Sequence, residues 1–417
     1  MSALRSATHF ATSTGIKVLS GLVAIKLIAS EVGPEGFGLL GQLMTVVAIT
    51  TMLAGGGITN GVIKSLANAS TDTAEGKEWL STAFTLSTKV SLAIAIACIT
   101  LAHPLASSLL KGNAFYLFFI LAAAQAIVAY GNLILAEASS RGDSAFYAKT
   151  HIIGTLSATC ALVFLIKAFG FEGAAAGLIL MPALPGLIAL YHSLRKRPDL
   201  IGSFYWNPNR QRSRHLLSFS TATVIGALSV PLAHLVIREY HSSQFGWNTV
   251  GHWQGIAKIS DVYMQFVGVV LINYAIPRFA AAPTIDRALA ELGKTMSLLL
   301  SLMTVGLALL YTLRNWAIPL VFSESFLPMS DLLPAQLAGD ILRTAAASIS
   351  FFFMARGYLT LSIGYEFLQG PVLIAVFFLL QDAAGIYAPV YAHLVSNLLL
   401  TATMAATLKI WTWSRPQ

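Results

Sequence analysis

Lys17, Lys26, Lys89, Lys258 and Arg343 stand inside long apolar runs of the chain, and Asp261, Asp340 and Glu366 are the clear acids among them. A charge at the centre of a membrane helix costs roughly 2.5–3.5 kcal/mol even on the lenient insertion scale, so such groups are expected to face one another or a water-filled hollow. Cations outnumber acids, so the hollow they would line is electropositive. That suits an anionic cargo such as a diphosphate, whose passage through hydrocarbon otherwise carries a severe desolvation cost.

The spacing of these groups is helical. Gln254, Lys258, Asp261 and Gln265 fall within an arc of about 60° on one helix face. Gln336, Asp340, Arg343 and Ser350 make a second stripe. Lys258/Asp261 and Asp340/Arg343 are i,i+3 pairs, whose side chains are neighbours on a helix. Each pair could simply neutralise itself in a helix bundle, but two such stripes in one half favour a lined cavity. In the other half, His9, Ser13, Lys17 and Ser20 form a narrow stripe, Lys89 has no acid nearby in sequence, and Lys64 follows Asn60 and the Gly55-Gly56-Gly57 run. Lys26 lies on the opposite side of the helix from Lys17, where snorkelling to the interface is its expected role.

Other groups read as packing. Pro231, His234 and Arg238 suggest a kinked helix with a polar end, with Arg238 on a connection, and Glu137 is expected to reach water at a helix end. His393, Asn397 and Thr401 have the spacing of interhelical hydrogen-bonding groups. Cys98 and Cys160, both in apolar runs, read as inert thiols. No Walker motif, HExxH or nucleophile elbow is present, and no metal or cofactor is implied.

The elements that must position these residues follow from composition. Of 417 residues, 56% are hydrophobic and 11% charged, against roughly a quarter charged in soluble domains. Apolar runs of membrane-crossing length recur without the alternation of barrel strands, so the spans are helices. They are placed at 8–30, 36–66, 80–103, 114–138, 148–169, 173–194, 214–237, 248–277, 293–313, 330–355, 360–380 and 386–410. The expected fold is therefore an all-α polytopic membrane protein of about 12 transmembrane helices, with an N-terminal lobe over 1–194, a hydrophilic linker over 195–213 and a C-terminal lobe over 214–417. Lys and Arg crowd one set of alternating connections, among them Arg195, Lys196, Arg197, Arg210, Arg212 and Arg214, while the other set holds only Lys111, Lys167, Arg238 and Arg314. The crowded side is expected to be cytoplasmic, with both termini there. This accounts for the net charge of +8 without nucleic acid. Trp79, Trp247, Trp316 and Trp411 fit an interfacial belt.

Particular strings add a resemblance. Ala54-Gly55-Gly56-Gly57-Ile58 with Asn60-Gly61-Val62-Ile63-Lys64, Trp253-Gln254-Gly255-Ile256 running into Ile259-Ser260-Asp261-Val262-Tyr263-Met264-Gln265-Phe266, and Gln336-Leu337-Ala338-Gly339-Asp340-Ile341-Leu342-Arg343 followed by Glu366 resemble the Wzx-type flippases of O-antigen and enterobacterial common antigen, the latter being the lipid III branch. The resemblance implies two six-helix lobes around a central cavity, alternating access, and a bacterial inner-membrane location. Its implied cargo is an undecaprenyl-diphosphate-linked oligosaccharide, with membrane lipids, a polysaccharide polymerase and a chain-length regulator as further partners.

On this reading Lys17, Lys64 and Lys89 draw in the diphosphate. Lys258 and Arg343 hold it deeper, beside Gln254, Gln265 and Gln336, and Asp261, Asp340 and Glu366 are candidates for a coupling proton or ion. A drug antiporter of the same superfamily would favour acidic cavity groups, and a membrane polymerase or ligase would need a large periplasmic loop with catalytic Arg or His.

Overall fold

The computed structural model describes residues 3–69, 72–112 and 114–414. Every regular element among them is helical. In chain order the α-helices are α1 (Ala3–Thr51), α2 (Gly57–Asn68), α3 (Ala74–Thr100), α4 (Ala102–Leu109), α5 (Tyr116–Ser140), α6 (Ser144–Leu180), α7 (Ala183–Lys196), α8 (Pro198–Gly202), α9 (Arg210–Val270), α10 (Ile276–Ala281), α11 (Ile285–Thr312), α12 (Arg314–Val321), α13 (Leu333–Ala355), α14 (Leu359–Ala384) and α15 (Ala388–Trp413). Single π-helical turns at Met52–Gly56 and Leu271–Ala275 join α1 to α2 and α9 to α10.

Eight helical stretches among the described residues are long and apolar enough to cross a membrane. Four of the eight are divided by a glycine with positive φ: Gly33, Gly170, Gly246 and Gly385. Each lies in a gap expected between spans, at 31–35, 170–172, 238–247 and 381–385. Glycine adopts this conformation without the penalty a Cβ imposes, which lets an apolar run break with no polar loop to mark it. The chain is an integral membrane protein of helical architecture.

By its internal contacts the chain parts into two compact units, one of Met1–Val32 with Leu39–Val224 and one of Gly33–Gly38 with Ile225–Gln417. In unit 1, Ile58, Val62, Leu80, Leu133, Ile134 and Ala189 build the core. Backbones approach closely where α5 meets α7, since a Cβ at Gly131 would lie 2.2 Å from the Cα of Gly186. Small residues at such crossings are the usual membrane solution, because packing replaces the hydrophobic drive that lipid cannot supply. Unit 2 is knit by aromatic edges. Phe37 meets Phe322 and Phe326 at 5.7 and 5.5 Å, and Trp411 meets Phe352 and Phe353 at 5.8 Å.

Two expectations about position are corrected. Glu137 does not reach water: its side chain is wholly buried and receives both Arg197 nitrogens, at 2.7 and 2.8 Å, with Arg141 at 3.2 Å. The hydrogen bonds of Glu137 hold the Arg197 guanidinium above its ordinary range, and the pair staples the start of the linker to α5. Arg238 does not sit on a connection, because α9 continues as helix to Gly246 and carries Arg238 inside, only 3% exposed.

Candidate functional site

Unit 2 contains a cavity lined by His234, Trp253, Ser260, Asp261, Gln336, Arg343, Gln369, His393 and Asn397, with Val230, Leu373, Pro389 and Leu400 as its main apolar wall. Behind this lining, α13 buries Asp340 completely. Its carboxylate accepts hydrogen bonds from the hydroxyls of Ser260 and Tyr263 on α9 and from Gln336 Nε2 at 3.3 Å, one turn earlier on α13. His393 on α15 brings Nε2 to 3.0 Å from Asp340 Oδ1. A proton on His393 Nε2 donates to the carboxylate and leaves Nδ1 to accept from Asn397 Nδ2 at 3.3 Å.

The backbone makes this approach possible. A Cβ at Gly339 would lie 2.5 Å from His393 Cδ2, so glycine beside Asp340 is what lets the imidazole reach it. Thr401, two turns beyond His393, donates to the carbonyl of Leu342 at 2.9 Å and fixes the α13–α15 register.

The expected Asp340/Arg343 pair does not form. Donors from α9 and α15 occupy the carboxylate, and Arg343 lines the cavity with no hydrogen bond or ion pair among the described residues. The Lys258/Asp261 pair does form, at 2.9 Å, and Asp261 reaches the cavity lining.

The stripe beginning at Gln254 is otherwise divided. Gln254 is fully buried and accepts from Arg238 Nη2 at 2.6 Å rather than lining a cavity. Gln265 is exposed and donates to the carbonyl of Asp261 at 3.2 Å, one turn back on its own helix. Glu366 is partly buried and accepts from Gln369 Nε2 at 3.0 Å, and it is Gln369 that lines the cavity.

Sequence reasoning placed Gln336, Asp340 and Arg343 on one stripe but missed that Ser260 and Tyr263 meet it from another helix and that His234 and Trp253 line the same cavity. Trp253 stands between His234 and Arg238, since its ring meets His234 edge-to-face at 5.3 Å and lies 5.8 Å from the guanidinium. The i,i+4 ladder His393, Asn397, Thr401 was the available signal for α15.

In unit 1, Lys17 on α1, Lys64 on α2 and Lys89 on α3 are all exposed on the fold. No described carboxylate pairs with Lys17 or Lys89. The ammonium of Lys89 lies 5.3 Å from the ring centre of Trp206, contributed by the segment between α8 and α9. His9 on α1 sits 3.2 Å from Ser144 on α6, which ties the start of the chain into this unit.

Comparison with known proteins agrees with this architecture. The chain is 28% identical over 415 residues to the Lipid III flippase of Escherichia coli (strain K12) and, to the same extent, to that of Shigella flexneri, with 99% of each chain covered. These relatives are by name transporters rather than catalysts. Among solved structures, Lipid II flippase MurJ in an inward closed conformation superposes with TM-score 0.74 at 13% identity, covering 96% of this chain and 87% of that one. MATE in complex with MaD3S gives 0.69 at 15% identity, covering 98% and 94%. Both share the fold. The family model described as polysaccharide biosynthesis protein matches residues 3–282, well over half of the sequence, and the chain belongs to that family.

Proposed function

We propose that the protein is a flippase of the bacterial inner membrane that carries an undecaprenyl-diphosphate-linked oligosaccharide from the cytoplasmic to the periplasmic leaflet by alternating access, with both termini cytoplasmic. The observation that carries this reading is the cavity of unit 2, where Arg343 faces the hollow without an ion-pair partner while Asp340 is enclosed by donors. A hollow that offers a cation and withholds its deepest acid suits an anionic head group better than a cationic drug. The full-length likeness to Lipid III flippases supports the same cargo class.

On this reading Arg343 holds the diphosphate, and Lys17, Lys64 and Lys89 draw it in from the cytoplasmic side. Lys258 is tied to Asp261 until cargo or a proton competes for one of them. Asp340 is the best placed coupling group: a proton arriving on it would remove its charge and turn one carboxylate oxygen into a donor, weakening its hold on Ser260, Tyr263, Gln336 and His393 and so altering how α9, α13 and α15 pack. That gives a coupling ion unequal affinity for two states, which any shift between them requires. Asp261 and Glu366 are the secondary candidates.

The test is translocation of lipid-linked oligosaccharide in vesicles holding the purified protein, with and without a proton gradient. Transport that rises with the gradient and falls with Asp340→Asn is the expected result. No transport under any gradient would end the flippase reading, and equal rates with and without one would remove Asp340 from coupling.

A further inference from the structure

The segment between α8 and α9 does not run free as a linker but packs on α3. The backbone N–H of Asn207 donates to Thr85 Oγ1 at 2.7 Å, and its side-chain amide donates to Ser81 Oγ at 3.1 Å. Phe204 stacks on Phe84 at 5.5 Å, which in turn stacks on Tyr130 at 5.2 Å. Thr85 lies eleven residues beyond the start of α3, roughly 16 Å along the helix axis, so the segment lies against the body of α3 and not at its end. There it presents Trp206, 57% exposed, beside Lys89, which is also exposed.

An aromatic side chain that serves only as an interfacial anchor is expected at a helix end. Here an indole stands well along the helix, next to a lysine that needs water or an anion at that depth. The chemistry of the same α3 face changes beyond this point. Towards the helix start it carries Ser81, Thr85 and Lys89, and further on Leu92, Ile96 and Ile99 are exposed. Aromatic surface, cation and apolar run follow one another as do the sugar ring, anionic group and lipid tail of a glycosylated lipid diphosphate.

We infer that Trp206 and Lys89 form a subsite for the proximal sugar of a glycosyl-diphosphate lipid. Lys89 meets the diphosphate, and the indole face receives the apolar face of the first pyranose ring. Asn207, held by Ser81 and Thr85, positions the indole. The inference rests on the proposed flippase function, and it adds that the glycan is read at its first residue by unit 1, separately from the Arg343 cavity.

The test uses the full-length protein in nanodiscs, titrated with undecaprenyl diphosphate and with the same lipid bearing one N-acetylglucosamine. The wild type should bind both, the glycosylated lipid about five-fold more tightly, as expected of one aromatic stacking contact. Trp206→Leu keeps apolar bulk but removes the π-face. It should abolish that margin while leaving the sugar-free lipid unchanged, and Trp206→Phe should retain most of it. A wild type that binds both lipids equally, a margin that survives in Trp206→Leu, or equal weakening of both lipids in that variant would each overturn the subsite. Failure of the wild type to bind either lipid would instead sink the flippase reading, and the subsite with it.

Discussion

The two halves of the chain share their backbone irregularities and differ in what their side chains do with charge. In the first half a break at Gly33, a π-turn at Met52–Gly56, a Thr73 cap on α3, a short helix at Ala102–Leu109 and a second break at Gly170 follow in order. In the second half Gly246, Leu271–Ala275, the Thr284 cap on α11, the short helix Arg314–Val321 and Gly385 repeat the series. Irregularities are hard to keep by chance, since each costs regular hydrogen bonding or needs a particular residue. The repeat therefore marks one frame used twice. On that frame unit 1 leaves Lys17, Lys64 and Lys89 exposed on separate helices and buries its acid, Glu137, as a structural staple. Unit 2 buries Asp340 within hydrogen-bonding reach of three helices and leaves an arginine facing the hollow. The lesson is that two buried carboxylates of similar exposure can differ in their surroundings: one is held by permanent cations, the other by hydroxyls, an amide and an imidazole.

That contrast can be broken most sharply at Glu137. Glu137→Ala leaves Arg197 and Arg141 without their shared acceptor and should cost about 3–5 kcal/mol, read as a large fall in the thermal midpoint of the detergent-solubilised protein. Next, Gly339→Ala forces His393 away from Asp340 and should cost about 1–3 kcal/mol by overpacking, with loss of translocation. Asp340→Asn keeps shape and most hydrogen bonds and should cost only about 1–2 kcal/mol, yet remove any gradient dependence of transport. A stability loss as large as that of Glu137→Ala would erase the distinction between the two acids. Smallest in stability are Arg343→Ala and Lys17→Ala, expected within about 0.5 kcal/mol of wild type. Both should leave normal membrane abundance while stopping delivery of surface glycan, and their disappearance through misfolding would favour a packing role.

Much of the frame was legible because hydropathy and glycine placement are local signals. The four breaks coincide with expected gaps, and the Lys258/Asp261 pair is an i,i+3 contact visible in the string itself. What escaped was set by partners distant in sequence. Glu137 looked solvated because Arg197 is sixty residues away. Asp340 looked paired to Arg343 because Ser260 and His393 lie on other helices, 80 and 53 residues distant. Gln254 looked like a lining group until Arg238, wrongly assigned to a connection, claimed it. Helical spacing says which residues share a face and nothing about which neighbour that face will meet.

The hexapeptide Gly33–Gly38 has a consequence for how the molecule is made. Phe37 is fully buried among Phe322 and Phe326, and Gly251 leaves no room for a side chain against Pro34. A piece synthesised among the first forty residues thus waits for partners that leave the ribosome roughly two to three hundred residues later. Expressing 1–224 and 225–417 as separate chains should give a second fragment with a vacancy at its aromatic centre until the first fragment arrives to plug it.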